Sequence, residues 1–161
     1  MPNPNDDIKS QRQRESRRIL DRLACVLPPI LSCHPVDAAY VYGSVARGTV
    51  TAFSDVDIAL LLSTSMPPYE RLMFEMTLQG EIEIQGGDLP TVDVRTLNEA
   101  PLMVRGRIVQ QGILVYEGDH ARRVAFEVAT RKRYFDFAPK ARRWRDAFLQ
   151  RVHREGLRSH G

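Results

Sequence analysis

Length, composition and charge place the chain among single-domain globular proteins and argue against several other classes. Its 161 residues can bury one core, and contents of 43% hydrophobic and 27% charged residues are ordinary for this class. No run approaches the roughly 18 apolar residues of a membrane helix, and the N-terminal sequence lacks the apolar segment of a secretory signal. Two cysteines, Cys25 and Cys33, are too few for a disulfide framework or a zinc site. We therefore expect a cytoplasmic protein without membrane contact.

Positive charge is in small excess, with a net charge of +3 at pH 7. The excess is concentrated in the N-terminal and C-terminal segments, at Arg12, Arg14, Arg17, Arg18, Arg22, Arg131, Lys132, Arg133, Lys140, Arg142, Arg143 and Arg145. Arginines at helical spacing more often form a solvated helix face than a nucleic-acid site. We therefore do not expect direct binding to nucleic acid.

The N-terminal segment predicts a helix from Asp6 to Leu27, because its later apolar residues recur at helical spacing. Pro28 and Pro29 then predict its end. A strand follows and ends at Gly43, which permits close backbone approach.

Beyond this first strand, Ser44 can cap a short helix. A loop over residues 49–54 leads to a second strand, Val56–Leu62. This strand is apolar at every position after Asp57, so we expect it to be covered on both faces.

The second half alternates helices and strands. A helix begins near Pro67 and Pro68, and residues 81–85 either continue it or form a strand. Residues 91–97 predict a strand with Asp93 on one face. A helix over 98–111 and a strand over 113–116 follow, and 120–156 is helical with a break at Pro139.

Two aspartates at the head of the second predicted strand form a carboxylate pair. Residues i and i+2 of a strand share a face, so Asp55 and Asp57 project together. Their charges repel each other unless a cation lies between them, and Mg²⁺ prefers carboxylate oxygens. A turn at Gly43 and a helix start at Ser44 would attract phosphate. Together these features favour the transfer of a phosphorus-centred group.

These same residues carry a resemblance. Gly43-Ser44, ten residues and Asp55-Val56-Asp57 resemble the GSx10DxD signature of the DNA polymerase β nucleotidyltransferase superfamily. The stretches GSVARG and SDVDIALL, and residues 91–117, resemble its minimal nucleotidyltransferase (MNT) branch. The resemblance covers about residues 36–150. It implies an α/β (α+β) fold in which helices pack on a small mixed sheet.

The implied organisation is a single nucleotidyltransferase domain over residues 1–161. We expect an N-terminal helix within 1–35, a catalytic core over 36–118 and C-terminal helices over 119–161.

The resemblance also implies the site chemistry. Such enzymes place a third acidic residue on a strand beside the DxD pair, and Asp93 occupies that position. Asp55, Asp57 and Asp93 would then act as catalytic residues and hold two Mg²⁺ ions. ATP would be the co-substrate, with Gly43, Ser44 and the candidate contact Arg47 at its phosphates. An Asp on an edge strand can alternatively be a device against aggregation.

The chain resembles MntA-like members of the MNT branch, which are antitoxins paired with HEPN-domain ribonuclease toxins. The implied function is transfer of AMP from ATP to a tyrosine of the cognate toxin, with release of pyrophosphate. One alternative is a small-molecule nucleotidyltransferase of the aminoglycoside or lincosamide type, and another is a non-catalytic antitoxin that acts by binding alone. Tyr116, Tyr134 and Trp144 could line a base pocket, although such residues are more often part of the core.

Overall fold

The structure is a computed structural model that describes residues 4–156. Helices and strands alternate along much of this part of the chain. In chain order they are α1 (Pro4–Leu31), β1 (Val36–Tyr42), α2 (Gly43–Arg47), β2 (Val56–Leu62), α3 (Pro68–Gly86), β3 (Val92–Thr96), α4 (Leu102–Gln111), β4 (Ile113–Glu117) and α5 (His120–Gly156).

Within the described residues the strands form one four-stranded mixed sheet in the order β3-β2-β1-β4. Strand β1 is antiparallel to both β2 and β4, whereas β2 and β3 are parallel. A parallel pair needs a crossover connection, and α3 provides it. The predicted fold class, a small mixed sheet packed with helices, is confirmed.

The sheet is covered on both faces because its strands alternate between two sets of apolar residues. On one face Val41, Ile58 and Val94 belong to a core shared with Leu27 of α1 and Leu78 of α3. The opposite face carries a smaller core, formed by Ala38, Tyr40, Ala59, Leu61, Leu97 and Ile108, with Phe126 packed against it. Strand β2 is therefore buried on both sides, as its apolar run predicts.

Three predicted helix boundaries differ from the structure. Helix α1 continues through Pro28 and Pro29 to Leu31, and Ile30 and Leu31 are only 4% and 0% exposed. Burial of these two side chains offsets the hydrogen bonding that proline removes from a helix. Helix α5 likewise runs through Pro139 without ending, so the predicted break is wrong.

The third difference concerns Asn98, where a helix was predicted to begin. Its side chain instead pairs with the backbone of Leu62, accepting from the N–H at 2.8 Å and donating to the carbonyl at 2.9 Å. These bonds hold the chain beside the end of β2, and α4 begins at Leu102. The ambiguous segment 81–85 is helical, as part of α3, and Ile82 is fully buried.

Helix α5 is fixed to the sheet and to α4 by specific contacts. The buried Tyr40 hydroxyl donates a 2.8 Å hydrogen bond to Glu127, which also accepts one from Arg123 at 2.6 Å. Gly106 of α4 lies against Tyr134, where an added Cβ would come within 2.1 Å of the ring and 2.8 Å of the Tyr134 Cβ. The absence of a side chain at Gly106 therefore sets the distance between the two helices.

Within the described part of the chain, none of the helices is both long enough and apolar enough to cross a bilayer.

Replacing Gly106 with Ala should destabilise the fold. The new methyl group overlaps Tyr134, and overpacking of this kind costs roughly 1–3 kcal/mol, against a gain of about 1 kcal/mol in helix propensity. The matched control is Gly80→Ala in α3, where an added Cβ has nothing within 4 Å. Urea unfolding should give a lower midpoint for Gly106→Ala and an equal or higher one for Gly80→Ala. Equal midpoints for the two variants would contradict the tight packing at Gly106.

Candidate functional site

Three polar side chains form a row across the adjacent strands β1, β2 and β3, at one end of the sheet. Tyr42 at the end of β1 is in register with Asp57 of β2, and Asp57 is in register with Asp93 of β3. Residues in register on neighbouring strands share a face, here the face that also packs against α4 and α5. The structure therefore brings together two of the predicted carboxylates, Asp57 and Asp93. The third, Asp55, lies exposed just before β2.

The turn after β1 places main chain directly against this row. Gly43 has a φ of 70°, a conformation that side chains disfavour, and a Cβ built there would lie 2.0 Å from Asp57 Oδ2. Only glycine leaves room for the Asp57 carboxylate beside the backbone. The predicted close approach at Gly43 is thus present, and its partner is Asp57.

Ser44 differs from its predicted local role. It lies inside the five-residue helix α2, and the N-cap position is Tyr42, whose side chain makes no capping hydrogen bond. The prediction that Ser44 caps this helix is wrong, because the turn at Gly43 already belongs to the helix. The side chain of Ser44 is half-buried next to the Gly43–Asp57 contact.

Electrostatic coupling links the carboxylates. The pKa of Asp57 is raised, first by burial and then by the negative charges of Asp93 and Asp55, whereas Arg47 lowers it. Burial and the charges of Asp57 and Asp93 also raise the pKa of Tyr42 to about 12. Arg47, the predicted phosphate contact, is exposed at the end of α2 and supplies positive charge at this site.

An arginine that sequence reasoning missed contacts Asp93 directly. Arg95 Nε lies 3.1 Å from Asp93 Oδ1, and its Nη1 lies 3.7 Å from Glu75 Oε2. Glu75 is buried and accepts the Thr96 backbone N–H at 2.8 Å. The sequence contains a signal for this ion pair, because Asp93 and Arg95 are two residues apart on one strand and so share a face.

Two cavities include Tyr42 in their linings. One, of about 240 Å³, lies between α2 and α4 and is lined by Tyr42, Gly43, Ala46, Arg47, Val104, Arg107, Ile108 and Gln111. The other, of about 330 Å³, includes Arg71, Glu75, Arg95 and Glu99 in its lining. Both also contain Tyr42, Val104 and Ile108. The two cavities therefore share part of their walls, and neither lining includes Asp55, Asp57 or Asp93.

The aromatic residues considered for a base pocket are not part of either lining. Tyr116 packs partly buried against the larger core, and Tyr134 contacts Gly106. Trp144 is 69% exposed on α5.

The donor atoms at the row suit a hard divalent cation, although their arrangement is incomplete. Asp55, Asp57 and Asp93 offer carboxylate oxygens, and the repulsion that raises the Asp57 pKa is what such a cation relieves. Among the side chains that the structure describes, however, no three Asp, Glu, His or Cys side chains converge as a metal-binding group. One of the candidate ligands, Asp93, is paired with Arg95 instead.

Comparison with known proteins gives the family. A family model described as polymerase beta, nucleotidyltransferase matches residues 27–121, which include every residue of the site described above. A comparison with curated proteins found no match.

Several solved structures are similar in fold. A chain from a toxin–antitoxin crystal structure with AMP-PNP is 22% identical with a TM-score of 0.57, covering 83% of this chain and 98% of that one. A chain from tri-AMPylated Shewanella oneidensis HEPN toxin in complex with MNT antitoxin is 20% identical, with a TM-score of 0.52 and coverage of 86% and 98%. Another Shewanella oneidensis structure is 21% identical, with a TM-score of 0.54 and coverage of 90% and 98%.

The family match spans more than half of the chain, from the end of α1 to the start of α5, and includes Gly43, Asp57 and Asp93. The chain therefore belongs to the polymerase β nucleotidyltransferase family.

Proposed function

We propose that this nucleotidyltransferase is an Mg²⁺-dependent antitoxin that transfers AMP from ATP to a tyrosine of a cognate HEPN ribonuclease toxin. The observation that carries the proposal is the in-register pair Asp57 and Asp93 beside the bare backbone of Gly43. Support for the partner and nucleotide comes from two of the similar structures, which are described as a toxin–antitoxin with AMP-PNP and as a tri-AMPylated HEPN toxin in complex with MNT antitoxin.

In the reaction, the tyrosine oxygen attacks the α-phosphorus of ATP. An oxygen–phosphorus bond forms to the acceptor, and the bond between the α-phosphorus and the oxygen that bridges it to the β-phosphorus breaks. Pyrophosphate leaves, and the tyrosine hydroxyl proton passes to the Asp93 carboxylate. Asp55, Asp57 and Asp93 would hold two Mg²⁺ ions, which supply positive charge for the phosphates and lower the pKa of the acceptor hydroxyl.

The other residues of the site position the substrates. The cavity between α2 and α4 takes the nucleotide, because Gly43, Arg47 and Arg107 are part of its lining. Ser44 and the Arg47 guanidinium contact the phosphates of ATP. The second cavity adjoins Arg95, the ion-pair partner of Asp93, and takes the acceptor tyrosine. Arg95 is a positioning residue that fixes the orientation of the Asp93 carboxylate.

Loss of either central carboxylate should abolish AMP transfer. We expect Asp57→Asn and Asp93→Asn to lower the rate at least about a hundredfold, because even residues that only support metal ligands contribute about 10–100-fold. Mass spectrometry of the HEPN protein, incubated with ATP and Mg²⁺, should show additions of roughly 329 Da per AMP. Asp21→Asn, an exposed carboxylate of α1, is the control and should transfer normally. Full transfer by Asp57→Asn would refute the assignment.

The Asp57→Asn variant also separates catalysis from simple occlusion. If transfer neutralises the toxin, the wild-type chain with ATP should suppress its ribonuclease activity, and the variant should not. Cleavage of a fluorescent RNA by the HEPN protein measures this. Equal protection by the variant would instead indicate an antitoxin that acts by binding. Adenylation of an aminoglycoside or lincosamide without any protein partner would favour the small-molecule alternative.

Stability without metal should reveal the repulsion at Asp57. Its pKa is higher in the folded chain than the usual 3.8, so its contribution to stability is greatest below that value and is lost as pH rises through the folded pKa. Asn does not ionise, so the Asp57→Asn variant should be more stable than wild type at pH 7. This advantage should shrink as pH falls through the folded pKa of Asp57 and be lost below about pH 4, the usual pKa of Asp. The urea-unfolding midpoints of wild type and Asp57→Asn, measured at pH 7 and below about pH 4, test this prediction.

Mg²⁺ should stabilise the wild type more than the Asp57→Asn variant. A cation that binds only the folded chain raises its stability, and the wild type binds it with one more carboxylate than the variant. Adding MgCl₂ should therefore raise the Tm of wild type more than that of Asp57→Asn. Equal shifts would argue against a metal at this carboxylate, independently of any measured activity.

A further inference from the structure

One apolar stripe runs along α5 and is covered over only half of its length. Phe126, Thr130, Tyr134 and Ala138 recur every four residues and so lie on one face of the helix. Thr130 and Ala138 are 4% and 8% exposed, and Tyr134 contacts Gly106 of α4. This inner part of the stripe belongs to the fold.

The same stripe continues after the core ends. Trp144, Phe148 and Val152 again recur every four residues, and the ring of Phe137, two turns before Trp144, meets it edge-on at 6.3 Å between centroids. These three residues, which we call the outer stripe, are 69%, 63% and 48% exposed. Every side chain from Arg142 to His153 is exposed. An aromatic side chain can bury about 150–250 Å², so the outer stripe is a large uncovered apolar surface.

The charges around the outer stripe indicate what kind of surface would cover it. The helix from Lys140 to His153 carries five Lys or Arg residues against one acid, Asp146. Arg145 and Arg151 precede and follow Phe148 by three residues and therefore flank it on opposite sides. A second copy of this chain would bring a like set of cations to the contact, and close like charges are unfavourable. Acidic flanks on a partner would be complementary.

We propose that the outer stripe docks an amphipathic helix with acidic flanks on the protein partner. The identity of that partner as the HEPN-domain protein rests on the proposed function, whereas the chemistry of the surface does not. Apolar side chains of the partner helix cover Trp144, Phe148 and Val152, and its acidic residues pair with Arg145 and Arg151. The interaction is a helix-to-helix contact separate from the catalytic row.

The test compares two phenylalanines that are equally exposed on the same helix. Phe148→Ser removes a member of the outer stripe, whereas Phe135→Ser removes a residue that is 61% exposed on another side of α5. Binding of the full-length chain to the HEPN protein is measured by isothermal titration calorimetry without ATP. We expect Phe148→Ser to raise Kd at least tenfold, in the range of an interface hot spot. Phe135→Ser should stay within about twofold, as energetically neutral interface positions do.

Trp144 provides a direct readout, because it is the single tryptophan of the chain. Its emission should shift to shorter wavelength when the HEPN protein binds, and added salt should weaken the binding because Arg145 and Arg151 contribute charge. The same emission is followed with phosphatidylserine vesicles, with single-stranded RNA and with increasing concentration of the chain alone. A comparable shift in any of these three, abolished by Phe148→Ser, would overturn the proposal.

These measurements distinguish failure of the docking proposal from failure of the proposed function. AMP transfer is measured in parallel with wild type at partner concentrations far above Kd. If wild type transfers AMP and Phe148→Ser leaves Kd unchanged, the docking surface is wrong and the function stands. If Phe148→Ser weakens binding while wild type transfers no AMP, the surface stands and the function is wrong. Absence of any binding by wild type rejects the docking proposal.

Discussion

Two negative charges held side by side are the constraint on which the site depends. Asp57 and Asp93 are in register on neighbouring parallel strands, where backbones lie only about 4.8 Å apart. Both burial and the neighbouring charges raise the pKa of Asp57, so the arrangement is unfavourable when the two carboxylates are ionised without a cation. Arg95 contacts one carboxylate and Arg47 lowers the pKa of the other, and these arginines partly offset the repulsion.

The rest of the fold supplies the stability that such a site requires. Strand β2 carries Asp57 at one end and is buried on both faces from Ile58 onward. One face packs against α1 and α3, and the other against residues of the α4 and α5 side. The carboxylate therefore projects from a rigid strand, and precise geometry at a functional site is easier to maintain there than on a loop. Gly43 completes the arrangement by leaving space for the carboxylate beside the main chain.

The parts of the site that follow from strand alternation could be predicted from the sequence. Alternation places Asp57 on the face opposite to Ile58, and the spacing from Gly43-Ser44 to Asp55 and Asp57 indicated the family. Local rules failed where packing decided the outcome. Proline rules predicted helix ends at Pro28 and Pro139, but α1 gains the buried Ile30 and Leu31 by continuing. Capping rules predicted that Ser44 caps α2. The helix already includes the turn at Gly43, so its N-cap position is Tyr42. The further pairing of Arg95 with Glu75 of α3 depends on a tertiary contact.

The two halves of α5 connect the site to its proposed partner surface. Val104 and Ile108 of α4 line both cavities, and α4 is held against α5 where Gly106 meets Tyr134. From Tyr134 to Phe148 a continuous helix extends about 20 Å at 1.5 Å per residue. A molecule seated at Phe148 must therefore reach back about that distance along α5 before it meets the helix that lines both cavities. A folded protein is large enough to do so, whereas an antibiotic-sized acceptor is not. The proposed docking surface and a protein acceptor are therefore consistent with each other.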